Sequence, residues 1–397
     1  MRLPLLLILP ILILDILADW YICRGVWRRC TRGARFWRPV SLWSSIVLGV
    51  GLLAAIAWPK KSASDYDLTG LMWFLYCYFS IYVPKYLFII IDLLGKVPQL
   101  WHRRRIKGFA HAGITVAVLT FGLMWWGALV NRYRIEVKEI EFADPSLPSS
   151  FEGLTIAQIS DLHTGSYGSD TTYVAKVVET VNALHPDIIV FTGDIVNRRS
   201  KELKPFVSTL SRLNAPLGVY SVLGNHDYGD YYAWDSAADK EANMQELYRM
   251  QHDMGWTLMN NSAHTFHAGP DSLVLIGVEN IGDPPFPIYG NLDKAYPGDL
   301  ADPAFKILLS HNPAHWVDDI AGSPDKNIAL TLSGHTHAMQ MELFGLSPAT
   351  FRYDTWGGMY ADIDSTRRLY VNIGIGEVGV PARIGATPEI TLFTLRR

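Results

Sequence analysis

Five short blocks in the second half of the chain carry side chains that bind cations or move protons, and each follows an apolar run. "LTIAQIS" leads to Asp161 and His163, "DIIVFTG" to Asp194, and "GVYSVLG" to Asn225, His226 and Asp227. "FKILLS" leads to His311, and "IALTLSG" to His335 and His337. In an extended segment residues i and i+2 project to one side, so Asp161 with His163, and His335 with His337, can each converge on one region. Gly193, Gly224 and Gly334 stand immediately before three of the blocks, where a tight turn or close backbone approach favours a residue without a Cβ. The donors are carboxylates, imidazoles and an amide, with no thiolate. That set suits Mn, Fe or Zn and disfavours a structural thiolate zinc. Seven or more such groups exceed what one ion takes and suit two divalent ions, an arrangement that serves in-line displacement at phosphorus.

These blocks need a scaffold. Apolar, β-rich runs at 154–160, 187–192, 217–223, 273–278, 305–310, 328–333, 369–374 and 389–395 read as strands, and 171–184, 201–213, 238–254 and 313–321 read as helices. Such alternation predicts a layered α/β domain, with the ligands at the carboxyl ends of its strands. "RYRIEVKEIEF" alternates as a strand does and "ADPSLPSS" reads as a linker, so 132–150 is a strand and linker and 151–397 the catalytic domain.

The first 131 residues read as membrane. Stretches 3–22, 40–58, 68–94 and 108–130 each approach the 20 or so apolar residues that cross a hydrocarbon core of roughly 30 Å, although Asp15 and Asp19 interrupt the first. We therefore expect a four-helix transmembrane region. Residues 1–134 carry a formal +12 and the remainder −15. Six arginines in 24–38 and five Lys/Arg in 96–107 put those loops in the cytoplasm, and hence the catalytic domain on the extracytoplasmic side. Lys85 and Asp92 lie seven apart on one face of the third span, as an intramembrane pair would. Cys23, Cys30 and Cys77 all fall in or beside the membrane, which leaves the catalytic domain no disulfide.

D-x-H, G-D, G-N-H-D, a lone histidine after a strand and G-H-x-H, in that order, resemble the calcineurin-like metallophosphoesterase superfamily over about 150–397. The trailing "LYVNIGIGEVGVPARIGATPEITLFTL" is similar to its membrane-associated YkuE/YaeI-like branch. The resemblance implies two packed β-sheets flanked by helices. It implies that Asp161, His163 and His337 bind one metal, that Asn225, His311 and His335 bind a second, and that Asp194 bridges them. It further implies that His226 contacts the phosphate and protonates or stabilises the leaving oxygen, with Asp227 orienting its ring. Hydroxide held between the metals would then attack phosphorus in line.

Several side chains keep more than one reading. His315 is a rival to His311, which ends its strand directly. Arg383 reaches a substrate phosphate or is a salt-bridged structural residue, and Tyr353, Trp356 and Tyr360 line a pocket, meet the membrane or simply pack. A domain tied to the bilayer meets membrane lipids and envelope phosphodiesters before cytosolic nucleotides, and a −15 domain is a poor partner for nucleic acid. The expected function is a membrane-anchored phosphodiesterase of lipid or envelope-linked substrates. A phosphomonoesterase or nucleotide-lipid pyrophosphatase is the enzyme alternative, and a metal-dependent scaffold or sensor the alternative of another class.

Overall fold

The computed structural model describes residues 5–25, 34–282, 287–298, 304–323 and 326–397. The chain divides into two units, Met1–Ala128 and Leu129–Arg397.

The first unit holds helices α1 (Leu5–Gly25), α2 (Ala34–Ala57), α3 (Asp65–Leu94) and α4 (Gly108–Leu129). By length and composition Pro39–Ala57, Asp65–Trp101 and Gly108–Tyr133 are each apolar enough to cross a membrane. Asp15 and Asp19 of α1 are buried, because α3 supplies their partners. Asp15 accepts hydrogen bonds from Tyr78 and Tyr86, and Asp19 accepts from Tyr82 (2.9 Å) and Lys85 (2.7 Å). Burying a carboxylate is costly without such donors. Lys85 therefore pairs across to α1 and not with Asp92, which meets Tyr21 (2.5 Å), Lys96 (3.3 Å) and Arg105. Residues 1–4 and 26–33, which include the start of the first expected span, much of the arginine-rich loop and Cys30, lie outside the described residues.

The second unit packs two six-stranded sheets face to face. The first contains β1 (Glu136–Ala143), β2 (Thr155–Ile159), β3 (Ile188–Phe191), β4 (Val219–Ser221), β5 (Thr257–Leu258) and β12 (Glu389–Arg396), in the order β1-β12-β2-β3-β4-β5. The second contains β6 (Ser262–Ala268), β7 (Asp271–Gly277), β8 (Phe305–Leu309), β9 (Leu330–Ser333), β10 (Gly358–Ala361) and β11 (Arg368–Val371), in the order β10-β11-β9-β8-β7-β6. The period-two side-chain alternation of a strand sorts the cores. Ile188 and Val190 face the space between the sheets, with Leu275, Ile307 and Leu332 opposite, while Ile189 and Phe191 face the helix layer. That layer holds α5 (Thr172–Ala183), the four-residue α6 (Val207–Leu210) and α7 (Ala237–Asp253). Burial on both faces explains why the central strands read as continuous apolar runs.

Three features depart from the sequence reading. The strand expected within 132–150 is β1, but it pairs in parallel with β12 from Glu136↔Glu389 to Ala143↔Arg396 and so is an edge strand of the second unit's own sheet, not a segment ahead of it. The helix expected over 201–213 breaks into 3-10 turns at Ser200–Glu202 and Lys204–Phe206 before α6, since Pro205 interrupts it. The helix expected over 313–321 is a single π turn, Trp316–Ile320.

Candidate metal centre

The carboxyl ends of β2, β3, β4, β8 and β9 deliver the five blocks to one place. The backbone there is forced: Asp161, His163, Asp194, His335 and His337 all have φ between 49° and 77°. Left-handed φ is uncommon for residues other than glycine, and each such residue costs on the order of 1–3 kcal/mol. The strain persists because the surrounding turns leave no room to relax. A Cβ on Gly334 would lie 2.0 Å from Ser160 Oγ and 2.3 Å from an Asp161 carboxylate oxygen, so that turn requires glycine.

Side-chain atoms able to bind a cation fall into two groups, Asp161 with His163 and His337, and Asp194 with His311 and His335, each within 4.8 Å of one another. In the first, His337 Nε2 is 3.0 Å from His163 Nε2 and 3.3 Å from Asp161 Oδ1. In the second, His311 Nε2 is 3.2 Å from both His335 Nδ1 and Asn225 Oδ1. One atom belongs to both neighbourhoods: Asp194 Oδ2 is 3.6 Å from His163 Nε2 and 3.3 Å from His311 Nε2. Its other oxygen accepts from the His226 backbone N–H at 2.8 Å. Converging imidazole, carboxylate and amide lone pairs repel one another unless a cation or proton lies between them. This donor chemistry fits divalent metal ions.

The charges are strongly coupled. Burial opposes ionisation of Asp161 and Asp194, yet His337 beside the one and His311 beside the other hold both carboxyls below their usual range. Burial pushes His163 down, and burial with the nearby His311 pushes His335 down to about 3. His311 goes the other way. Burial opposes its charge, but Asp194 lifts it to about 9.

Further neighbours set the orientation of these rings. His311 Nδ1 donates to the Thr192 carbonyl (2.8 Å), which turns Nε2 inward. Asn225 Nδ2 donates to Tyr231 OH (2.9 Å), which leaves Oδ1 for the site. Arg383 is wholly buried and donates to the carbonyls of Gly376 (2.7 Å), Ile373 (3.0 Å) and Ala386 (3.3 Å), and to His337 Nδ1 (3.1 Å). It clamps the 373–386 loop and one ligand ring, and neither reaches into solvent nor serves as a surface ion pair. A guanidinium only donates, so a proton on the neutral His337 ring sits at Nε2, where a cation would replace it.

His226 lies edge-on to His163, ring centroids 4.9 Å apart, and stacks on Tyr231 at 4.4 Å. Its Nδ1 donates to the Asn197 carbonyl (2.7 Å), so Nε2 is the nitrogen left to meet a ligand. Asp227 does not orient this ring. Its carboxylate accepts backbone N–H groups of Gly224 (2.8 Å), Asp194 (2.9 Å), Ile195 (2.9 Å) and Val196 (3.2 Å), and so ties the loop after β3 to the loop after β4. Burial, and then Asp194, push its carboxyl up to about 7. The rival His315 faces Ser310 Oγ at 2.8 Å, and burial pushes it down to about 4. Tyr353 stands edge-on to His335 (5.6 Å), and Trp356 gives its carbonyl to Thr336 Oγ1 (2.5 Å) and its N–H to Tyr360 OH (3.0 Å), so all three aromatics brace the His-x-His turn.

Known proteins share both units. Residues 154–339 match the family described as "Calcineurin-like phosphoesterase", and residues 1–132 match "Probable Calcineurin-like phosphoesterase, transmembrane domain". The metallophosphoesterase YkuE of Bacillus subtilis is 31% identical over 307 residues, covering 75% of this chain and 98% of that one. A "Transmembrane protein with metallophosphoesterase domain" of Danio rerio is 28% identical over 332 residues, covering 80% and 72%. The "UDP-2,3-diacylglucosamine pyrophosphatase LpxG" of Chlamydia muridarum is 28% identical over 320 residues, covering 66% and 90%. Catalytic unit and helical membrane region are thus matched together, and the chain belongs to the membrane-anchored calcineurin-like phosphoesterases, metal-dependent hydrolases of phosphoric esters.

Proposed function

We propose that the two ligand groups hold two divalent ions (Mn, Fe or Zn) bridged by Asp194, and that the chain hydrolyses a phosphodiester of a lipid or envelope-linked substrate. The observation that carries this reading is the position of Asp194 Oδ2 between the two groups, 3.6 Å from one histidine and 3.3 Å from the other. When bound, such ions supply Lewis acidity at the phosphoryl oxygens and make water acidic enough to attack near neutral pH. The chain supplies the geometry. The His226 N–H pins one oxygen of Asp194 and leaves the other central. The Asn197 carbonyl holds His226 Nδ1–H, so a second ring proton on Nε2 is the one offered to the leaving oxygen. Asp227 acts as a positioning residue through the backbone of Asp194.

The membrane-spanning helices support a lipid-linked substrate, because the metal centre is tethered to the surface where such esters lie. The pyrophosphatase name of the Chlamydia muridarum relative supports a second reading, in which the cleaved bond belongs to a nucleotide-diphosphate lipid. The arginine-rich loops support a catalytic unit outside the cytoplasm. The test is turnover by the full-length protein in detergent of a phospholipid diester, a nucleotide-diphosphate lipid and the matching monoester, with Mn²⁺, with chelator, and with Asp194→Ala. Metal-dependent cleavage of the diester, lost in the variant, is the expected result. Cleavage of the pyrophosphate alone selects the second reading, and cleavage of the monoester alone refutes both.

A further inference from the structure

The stretch that follows the His-x-His turn carries a surface that a water-soluble domain does not need. Two residues after His337 the chain enters a stretch in which Met339, Met341, Leu343, Phe344, Leu346 and Phe351 are all exposed, Leu346 by 74%, Phe351 by 93% and Phe344 completely. Contiguous exposed apolar surface of this kind marks an interaction site. The middle of the stretch is a tight hairpin between two 3-10 turns (His337–Gln340 and Pro348–Phe351): Leu343 and Leu346 exchange both backbone hydrogen bonds (2.9 and 3.0 Å). Phe344 and Gly345 make its two-residue turn with φ of 56° and 77°. A phenylalanine held in the left-handed region with its whole ring in solvent serves neither turn propensity nor packing.

The root of the hairpin is fastened to the segment that also holds Asn131 and Arg132, which follow α4 in the chain. Glu342 N–H donates to the Ile384 carbonyl (2.9 Å), and Gln340 Nε2 donates to the carbonyls of Val380 (2.6 Å) and Ala382 (2.9 Å). The same segment receives Asn131 Nδ2 on the Arg383 carbonyl (3.0 Å) and Arg132 Nη1 on the Pro381 carbonyl (3.2 Å), while Arg132 also pairs with Glu377 at 2.6 Å. Asn131 and Arg132 lie two and three residues beyond Leu129, where α4 ends. The apolar stretch, the loop that braces His337, and Asn131 with Arg132 are therefore joined by hydrogen bonds within the second unit.

We propose that the 339–351 segment is a membrane wedge: its apolar tip enters the lipid bilayer that the spans cross and holds the metal centre at the lipid–water boundary, so that the substrate is a phosphoester hydrolysed while its hydrocarbon part stays in the bilayer. This rests on the lipid-linked reading above and adds how the substrate is reached. A short apolar tip on a rigid root inserts as interfacial segments do, by burying a few large side chains at the headgroup boundary.

The test uses the full-length chain with Cys23, Cys30 and Cys77 replaced by serine and an environment-sensitive nitrobenzoxadiazole label on Phe344→Cys, reconstituted in phosphatidylcholine–phosphatidylglycerol vesicles. A label on Lys201→Cys is the control. We expect a blue-shifted emission at position 344 and several-fold stronger quenching by doxyl-labelled lipids than at position 201. Equal emission and quenching at the two positions overturns the wedge. A blue shift without lipid quenching overturns it too and assigns the hairpin to a protein partner or second copy. The triple variant Phe344→Ser, Leu346→Ser, Phe351→Ser is expected to lose at least about tenfold in turnover of vesicle-borne phosphoester, since exposing even one such side chain shifts a partition equilibrium by about that factor. Its turnover of a soluble aryl phosphodiester is expected to stay at the wild-type level. Strong lipid quenching with no cleavage of any lipid phosphoester leaves the wedge standing and sinks the substrate reading. Undiminished vesicle turnover by the triple variant with an unquenched label does the reverse.

Discussion

Replacing Arg383 by methionine separates a role in holding the centre from a role in binding substrate. The guanidinium is fully buried and donates to three carbonyls and to His337 Nδ1. Methionine fills much of the same volume and offers no donor, so the carbonyls of Gly376, Ile373 and Ala386 are left in the interior without it. Each buried acceptor so abandoned costs about 1–3 kcal/mol. The variant is spared the desolvation of a guanidinium, which burial already penalises enough to lower its pKa, and this offsets part of the loss. A net destabilisation of about 3–5 kcal/mol remains, which for a unit of this size lowers the melting temperature by roughly 10 °C. Loss of the contact to the His337 ring lowers metal affinity by about 10–100-fold. Near-ultraviolet circular dichroism melts of the full-length protein in detergent, with metal titration followed by turnover, read both effects. At saturating metal, KM is expected to be unchanged. A variant that melts like the wild type and binds metal normally, but whose KM rises tenfold or more, refutes the argument and makes Arg383 a phosphate ligand.

Four further outcomes follow from the same geometry. Gly334→Ala places a methyl within 2.0 Å of Ser160 Oγ, so metal content by elemental analysis should collapse together with turnover, and a fully loaded, active variant would contradict the turn argument. Asp227→Ala removes the acceptor of four backbone N–H groups, so metal content should fall along with kcat, whereas loss of kcat at full metal content would return Asp227 to the His226 ring. His226→Gln should cost about 10²–10⁴ in kcat for an alkyl leaving group and much less for a nitrophenolate, which needs no proton, and equal losses would exclude proton donation. Burial lifts the Glu377 carboxyl to about 7 against the pull of Arg132, so its contribution to stability is full below about 4.5 and is lost as pH rises through 7. The unfolding free energy of wild type minus that of Glu377→Gln should therefore drop by up to about 3 kcal/mol between pH 5 and 8, and a flat difference would show that Glu377 is ionised throughout.

The five blocks that the structure brings together were legible because side-chain type carries their chemistry and strand ends carry their position. His311 was separable from His315 only because it directly ends an apolar run, and the structure puts His315 on Ser310. The groups that orient the ligands were illegible for a physical reason. Asn197 and Thr192 act through backbone carbonyls, which every residue has, so no residue type marks them. Arg383 and Tyr231 act through side chains, but their partners arrive from loops distant in the chain or depend on the rotamer of a neighbour. Among the strands, β5 has two residues and β10 four, too short for a period to show, and β6 is an exposed edge strand whose Ser, Thr and His side chains blur the period-two signal. Lys85 and Asp92 invited a pairing within α3, whereas the stronger partners stood on α1 and beyond the end of α3.

Metal stoichiometry measured beside turnover bears most directly on the centre itself. Full-length wild type, His163→Ala, His311→Ala and Asp194→Ala would be loaded with Mn²⁺, and bound metal counted per chain by elemental analysis while a phosphodiester is turned over. Two ions are expected in the wild type, about one in each histidine variant, and loss of both ions and of turnover in Asp194→Ala. A wild type that turns over fully with one ion per chain, or an Asp194→Ala variant that keeps two ions, would contradict the two-ion centre.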